Sequence, residues 1–146
     1  AYTYVRSNFA VTEVNEYTSE NVSALWICLH TENEHATIYA TLYHPPSLNK
    51  SLCDHTIDYM MSTVSDLAAK YPNAKFLIYG DFNDLTMAPF NAVAGLTQLV
   101  TFPTRGDNTL DLVYTDIPEY ADKPVMTCRS APNIGRSDHS SVEISN

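Results

Sequence analysis

Positive charge is scarce in this chain: eight Lys and Arg stand against 17 Asp and Glu, a formal net charge of −9. Such an excess repels nucleic acid and other polyanions at long range, and so weighs against them as partners unless a divalent cation or further protein reverses the field locally. Cysteine is nearly as sparse. Cys28, Cys53 and Cys128 are odd in number, far apart and without a C-x-x-C pair, which argues against a disulfide framework and a zinc site and suits a reducing, intracellular compartment. No apolar run approaches the roughly 18 residues of a membrane span, and no charged-then-apolar leader opens the chain, so neither a membrane segment nor a signal peptide is expected. Two N-x-S/T triplets, at Asn21 and Asn49, would accept glycans only in a secreted chain. With four Gly, no low-complexity tract and 45% hydrophobic residues, the composition is that of a soluble globular protein rather than a disordered one.

What is present fits one domain. A chain of 146 residues is long enough to bury a sizeable core. Ten Tyr lean it toward strands. Alternating β-formers at 1–7, the apolar run 21–30 and the segment 35–43 read as strands, the last two as an antiparallel hairpin across the polar "TENE" turn. Pro45 and Pro46 stop the third, because neither donates to a ladder. Between Ser51 and Tyr71 the residues Ile57, Met60, Met61, Val64, Leu67 and Ala68 recur at three- and four-residue steps, the stripe of an amphipathic helix that Lys70 and Pro72 close. Phe76 to Tyr79 then run into Gly80 as a strand buried on both faces would. A short helix near 89–94 and strands near 96–102, 110–115, 124–129 and 139–145 complete a layered α/β or α+β domain with no internal repeat.

Polar residues placed where strands end are the candidates for chemistry, because the rim of an α/β sheet is where ligands bind. They are Asp81 and Asn83 in "GDFN", Asp111 in "TRGDNTLDLVY", and Asp138 beside His139 in "GRSDHSSV". Singly each has an ordinary structural reading: Asp and Asn cap turns through nearby amides, and an Asp in "LDLVY" can be a satisfied buried acceptor. Together they supply what metal-assisted phosphoester hydrolysis needs. That inventory is hard carboxylate oxygens for Mg²⁺, a carboxylate to activate water, an amide for a phosphate oxygen and an imidazole to stabilise charge. In an extended segment Asp81 and Asn83, two apart, face one side and reach one phosphate. An Asp–His hydrogen bond fixes the tautomer and favours imidazolium. Arg105 is one of the few cations near this rim and could pair with phosphate.

Taken in order, Tyr43 in "LYHPP", "GDFN" at 80–83, "TRGDNTLDLVY" at 104–114 and "GRSDHSSV" at 135–142 resemble the endonuclease/exonuclease/phosphatase superfamily. "YHPP", "LTQLVTFPTR" and the short interval between "GDFN" and "LDLVY" are most similar to the apurinic-type endonuclease domain of non-LTR (LINE-like) retrotransposons. The resemblance implies two packed sheets flanked by helices, the DNase I-like fold, with an active site at one end. It implies Mg²⁺ or Mn²⁺ as cofactor, duplex DNA as partner with no membrane involved, continuity with a reverse transcriptase and action in the nucleus. Position by position, it implies that Tyr43 contacts the scissile phosphate, Asp81 activates or orients water and Asn83 holds a phosphate oxygen. Asp111 would orient His139, His139 would stabilise developing charge, Asp138 would join the metal site, and Thr104 and Arg105 would line the DNA-facing loop.

One departure stands out. The family's Asn and Glu that form its principal metal site precede the region resembling "AYTYVRS", and Glu13, Glu16 and Glu20 sit in no matching motif. The chain is thus expected to be the C-terminal two-thirds or so of such a domain, inactive alone. Two other functions remain open at this point: a phosphatase or phosphodiesterase acting on a lipid, inositol or nucleotide phosphate, and a catalytically dead remnant serving as a binding module.

Overall fold

The apolar runs around Trp26 and Ile38 pair as the expected antiparallel hairpin. The structure, a computed structural model, describes residues 3–30, 36–93, 95–117 and 127–145. In chain order the elements are β1 (Ala10–Glu13), a short 3-10 helix (Asn15–Tyr17), β2 (Ser23–His30), β3 (Ala36–Tyr43), α1 (Lys50–Lys70), β4 (Lys75–Asp81), α2 (Ala88–Val93), β5 (Thr97–Gln98), β6 (Asp111–Thr115), β7 (Thr127–Ala131) and β8 (Ser141–Ser145). Six strands form one sheet in the order β1-β2-β3-β4-β6-β5, and β7 and β8 form a two-stranded sheet. Among the described residues the main sheet has one parallel pair, β3–β4, and its other pairs are antiparallel. The α/β expectation is met by this large mixed sheet with helices beside it.

α1 lies between the parallel strands β3 and β4 in sequence, the crossover that a parallel pair requires. Asn49 caps it, its side chain accepting from the Leu52 amide at 3.0 Å. The helix buries Thr56, Ile57, Met60, Thr63, Val64 and Leu67, whereas Ala68, expected in the stripe, is exposed. The buried face takes in two threonines instead, and the Thr56 hydroxyl is satisfied there by donating back to the Leu52 carbonyl at 3.0 Å. Against this face pack Trp26 and Cys28 of β2, Ile38, Ala40 and Leu42 of β3, Phe76 and Ile78 of β4, and Tyr114 of β6. These positions alternate along each strand and so define one face of the sheet. Met60, Leu67, Ile38 and Ile78 are completely buried there.

Alternation sends the intervening residues to the other face. In register these are Thr41, Tyr79 and Val113, followed by Tyr43, Asp81 and Asp111 at the sheet's end. The two-stranded sheet lies on this side, leaving a cleft of about 470 Å³ lined by Leu77, Tyr79, Val113, Val142 and Ile144 together with Asp81 and Asp111.

Three expected strands differ, the one expected near 96–102 being only the two residues of β5, Thr97–Gln98. The segment 3–9 is not a strand; the edge strand β1 begins at Ala10. Thr3 bonds the hydroxyls of Thr41 at 2.6 Å and Tyr79 at 3.2 Å, so this segment runs over the open sheet face instead of lengthening its edge. The strand expected at 124–129 is seen from Thr127 to Ala131, and its first three residues lie outside the described ones. Among the described residues no helix is long and apolar enough to cross a membrane.

Candidate active site

The end of β4 creates the site. Gly80 has φ +152°, and a Cβ built on it would lie 1.8 Å from the Leu42 carbonyl oxygen. Only glycine lets β3 and β4 approach this closely, and Asp81 follows at once, in register with Tyr43 on one side and Asp111 on the other. The His44 amide extends the pairing by donating to the Asp81 carbonyl at 2.9 Å.

Beyond Asp81 the chain turns. Asn83 has φ +46°, the left-handed conformation that Asn tolerates better than most residues. Its amide donates to Asp81 Oδ1 at 3.2 Å and its Nδ2 to the His44 carbonyl at 2.8 Å. Asp81 and Asn83 are therefore brought together by a side-chain-capped turn, not by strand alternation as the extended reading had it, because β4 ends at Asp81. His44, which the motif reading passes over, is 1% exposed and supplies backbone atoms to both residues. Burial, its largest influence, holds its imidazole below the usual histidine range, and Nε2 lies 3.7 Å from Cys53 Sγ. No sequence motif marks that role, since it belongs to the backbone.

From the loop before β8, His139 brings Nδ1 to 2.8 Å from Asp111 Oδ2, with both side chains about one-fifth to one-quarter exposed, at 20% and 24%. Ligand atoms of Asp81, Asp111 and His139 all lie within 4.8 Å of one another. Burial first, and then repulsion from Asp111, push the Asp81 carboxyl above the usual range. Two facing carboxylates, still repelling with an imidazole beside them, form a donor set that suits a hard divalent cation bound by one or two carboxylates plus water and phosphate oxygens.

The remaining expected residues are placed as follows. Tyr43 is 44% exposed on the rim beside Asp81. Asp138 is not among the three residues that gather at the sheet's end: its carboxylate accepts Arg105 Nε and Nη2, each at 2.7 Å, and is 68% exposed. Arg105 holds the Asp138 carboxyl below the usual range. Thr104 is 1% exposed, so its side chain lines no surface loop; its hydroxyl accepts the Leu110 and Asp111 amides at 3.0 and 3.1 Å.

A mixed sheet with helices on one face and a small second sheet on the other define the class of the fold: it is the DNase I-like fold. Among solved structures the chain is similar to the human Nocturnin catalytic domain with bound sulfate anion, with a TM-score of 0.59 and 12% identity over 94% of this chain. The chain spans 60% of the length of that structure. No protein-family model matches the sequence, and no curated protein does.

Proposed function

We propose that the chain carries the catalytic face of a divalent-metal-dependent phosphodiesterase, acting on duplex DNA as a nicking endonuclease of the non-LTR retrotransposon type. The observation that supports it is the convergence of Asp81, Asp111 and His139, from three separate segments, within 4.8 Å at one end of the sheet. Asp111 holds the His139 ring through Nδ1, so that the imidazolium can offset negative charge growing on a phosphate. Asp81, at the centre of this group, orients the attacking water. Asn83 and Tyr43, flanking Asp81, supply polar contacts to phosphate oxygens. Mg²⁺ or Mn²⁺, held by Asp81 and Asp111, would neutralise charge on the phosphate.

Because the chain spans 60% of the solved structure it resembles, we propose that further metal ligands, an Asn and a Glu, come from preceding sequence and that the whole polypeptide continues into a reverse transcriptase working in the nucleus. The test is plasmid nicking by the protein with that preceding sequence and Mg²⁺. Nicking should fall by about 100-fold or more in Asp81→Ala and in His139→Ala; full nicking by both would sink the assignment.

A second reading has its own support. The net charge of −9 and the engagement of Arg105 by Asp138 leave the rim without a free cation at Arg105 for a polyanion, which favours a small lipid, inositol or nucleotide phosphoester. Turnover of such esters with no cleavage of duplex DNA would select it.

A further inference from the structure

His139 is gripped from both flanks by two consecutive residues. The residue before it, Asp138, is bound by Arg105 through Nε and Nη2, each at 2.7 Å. The residue after it, Ser140, donates its amide to the Thr104 carbonyl at 2.7 Å. Thr104 also reaches the imidazole's partner, because its hydroxyl accepts the amide of Asp111 at 3.1 Å and that of Leu110 at 3.0 Å. A tight turn keeps the pair aligned: the Thr104 amide donates to the Asn108 carbonyl at 2.8 Å, and Arg105 and Asn108 exchange amide-to-carbonyl bonds at 3.0 Å. Gly106, at φ +56°, allows that turn.

We propose that Thr104 and Arg105 form a cradle that positions His139 on Asp111, Thr104 from within the fold and Arg105 from its surface. The proposal rests on the phosphodiesterase reading for its kinetic consequence, but not for its geometric one. Neither residue touches a reacting atom in this role. Thr104 joins the backbones of β6 and the 137–140 loop at the point where each presents its half of the Asp111–His139 pair. Arg105 fixes the outer side of the same loop. Displacement of a held group by about 1 Å can cost on the order of 100-fold in rate, so two anchors on adjacent residues matter more than their exposed and buried contacts suggest separately.

The experiment compares Thr104→Val, which keeps the shape and removes the acceptor, with Thr104→Ser, which keeps the hydroxyl, and with Arg105→Met and Asp138→Asn. The first readout is the Nδ1–H signal of the histidine held by Asp111 in ¹⁵N-resolved NMR, assigned by its absence in His139→Gln. It should vanish into solvent exchange in Thr104→Val and persist in Thr104→Ser. The second is kinetics in the protein with its preceding sequence: Thr104→Val should lower kcat about 10- to 100-fold with KM nearly unchanged, and Thr104→Ser should restore it. Arg105→Met and Asp138→Asn should each weaken the signal to the same smaller extent, and their double variant no further. A wild-type signal in Thr104→Val overturns the proposal. An Asp138→Asn loss far beyond that of Arg105→Met would show that Asp138 holds the loop otherwise than through Arg105 and overturn the Arg105 half. Should Thr104→Val fail to fold, the Arg105–Asp138 comparison decides that half and Thr104→Ser the other, since loss of the signal with the hydroxyl retained also overturns it. Absence of phosphodiester cleavage in the unsubstituted protein defeats the functional reading and leaves the NMR comparison intact.

Discussion

Asp81 is held where a carboxylate is uncomfortable. Burial and the facing Asp111 both oppose its ionisation, so the group favours the folded state when protonated and opposes it when charged. The sign follows: with the folded pKa raised above the unfolded one, stability is full below the ordinary aspartate range and falls as pH rises through the raised value. Asp81→Asn should therefore raise the melting temperature at pH 7, because it removes the charge that burial and Asp111 oppose, while removing the proposed activity. That gain should fade as pH drops toward 3 or so, where both proteins are neutral at this position; a gain that persists there, or none at pH 7, would show that Asp81 is not strained. The sequence declared this residue and its partners by type and by position after strands, as "GDFN", "LDLVY" and "SDH". It could not declare Asn83's left-handed backbone, the service of His44 through its main chain, or the pairing of Asp138 with Arg105, because these depend on which loops meet in space.

At the scale of the element, β4 carries the site and Gly80 lets it do so. Gly80→Ala should destabilise the fold by about 3 kcal/mol or more, at or beyond the top of the usual range for a single substitution, because the added Cβ meets the Leu42 backbone at 1.8 Å rather than a movable side chain. Denaturant unfolding measures this, and a loss under about 1 kcal/mol would mean that β3 and β4 separate easily there. The long elements were legible: the stripe of α1 and the apolar runs of β2, β3 and β4 are strong periodic signals. The short ones were not. β1 is exposed along its whole length, so no apolar pattern marks it, while the β-forming residues before it are spent on crossing a sheet face.

For the whole molecule the net charge of −9 and the acidic rim set the conditions for any anionic substrate. A divalent cation that binds the folded state alone must stabilise it by mass action, by about 2.7 kcal/mol at a concentration 100 times its dissociation constant. At constant ionic strength Mg²⁺ or Mn²⁺ should therefore raise the melting temperature by several degrees, a chelator should reverse the rise, and an Asp81→Asn, Asp111→Asn double variant should show none. An equal rise in the double variant would place the cation elsewhere. The DNase I-like fold was legible from an ordered set of motifs even though no family model matches the chain, because the motifs sit at strand ends and the sheet order constrains them. The substrate is not legible in the same way: the face that would meet it is built partly from loop geometry.

The row Tyr43, Asp81 and Asp111 depends on the pairing register of three strands. A slip of one residue in β4 or β6 would turn a carboxylate inward against α1 and push Leu112 or Ile78 out to water. A mispaired chain would thus bury an unpartnered charge and lose core contacts at once, and would unfold rather than persist as a silent, inactive form. The acidic pair thereby couples correct assembly to the site: the register that buries the core is the one that sets Asp81 beside Asp111.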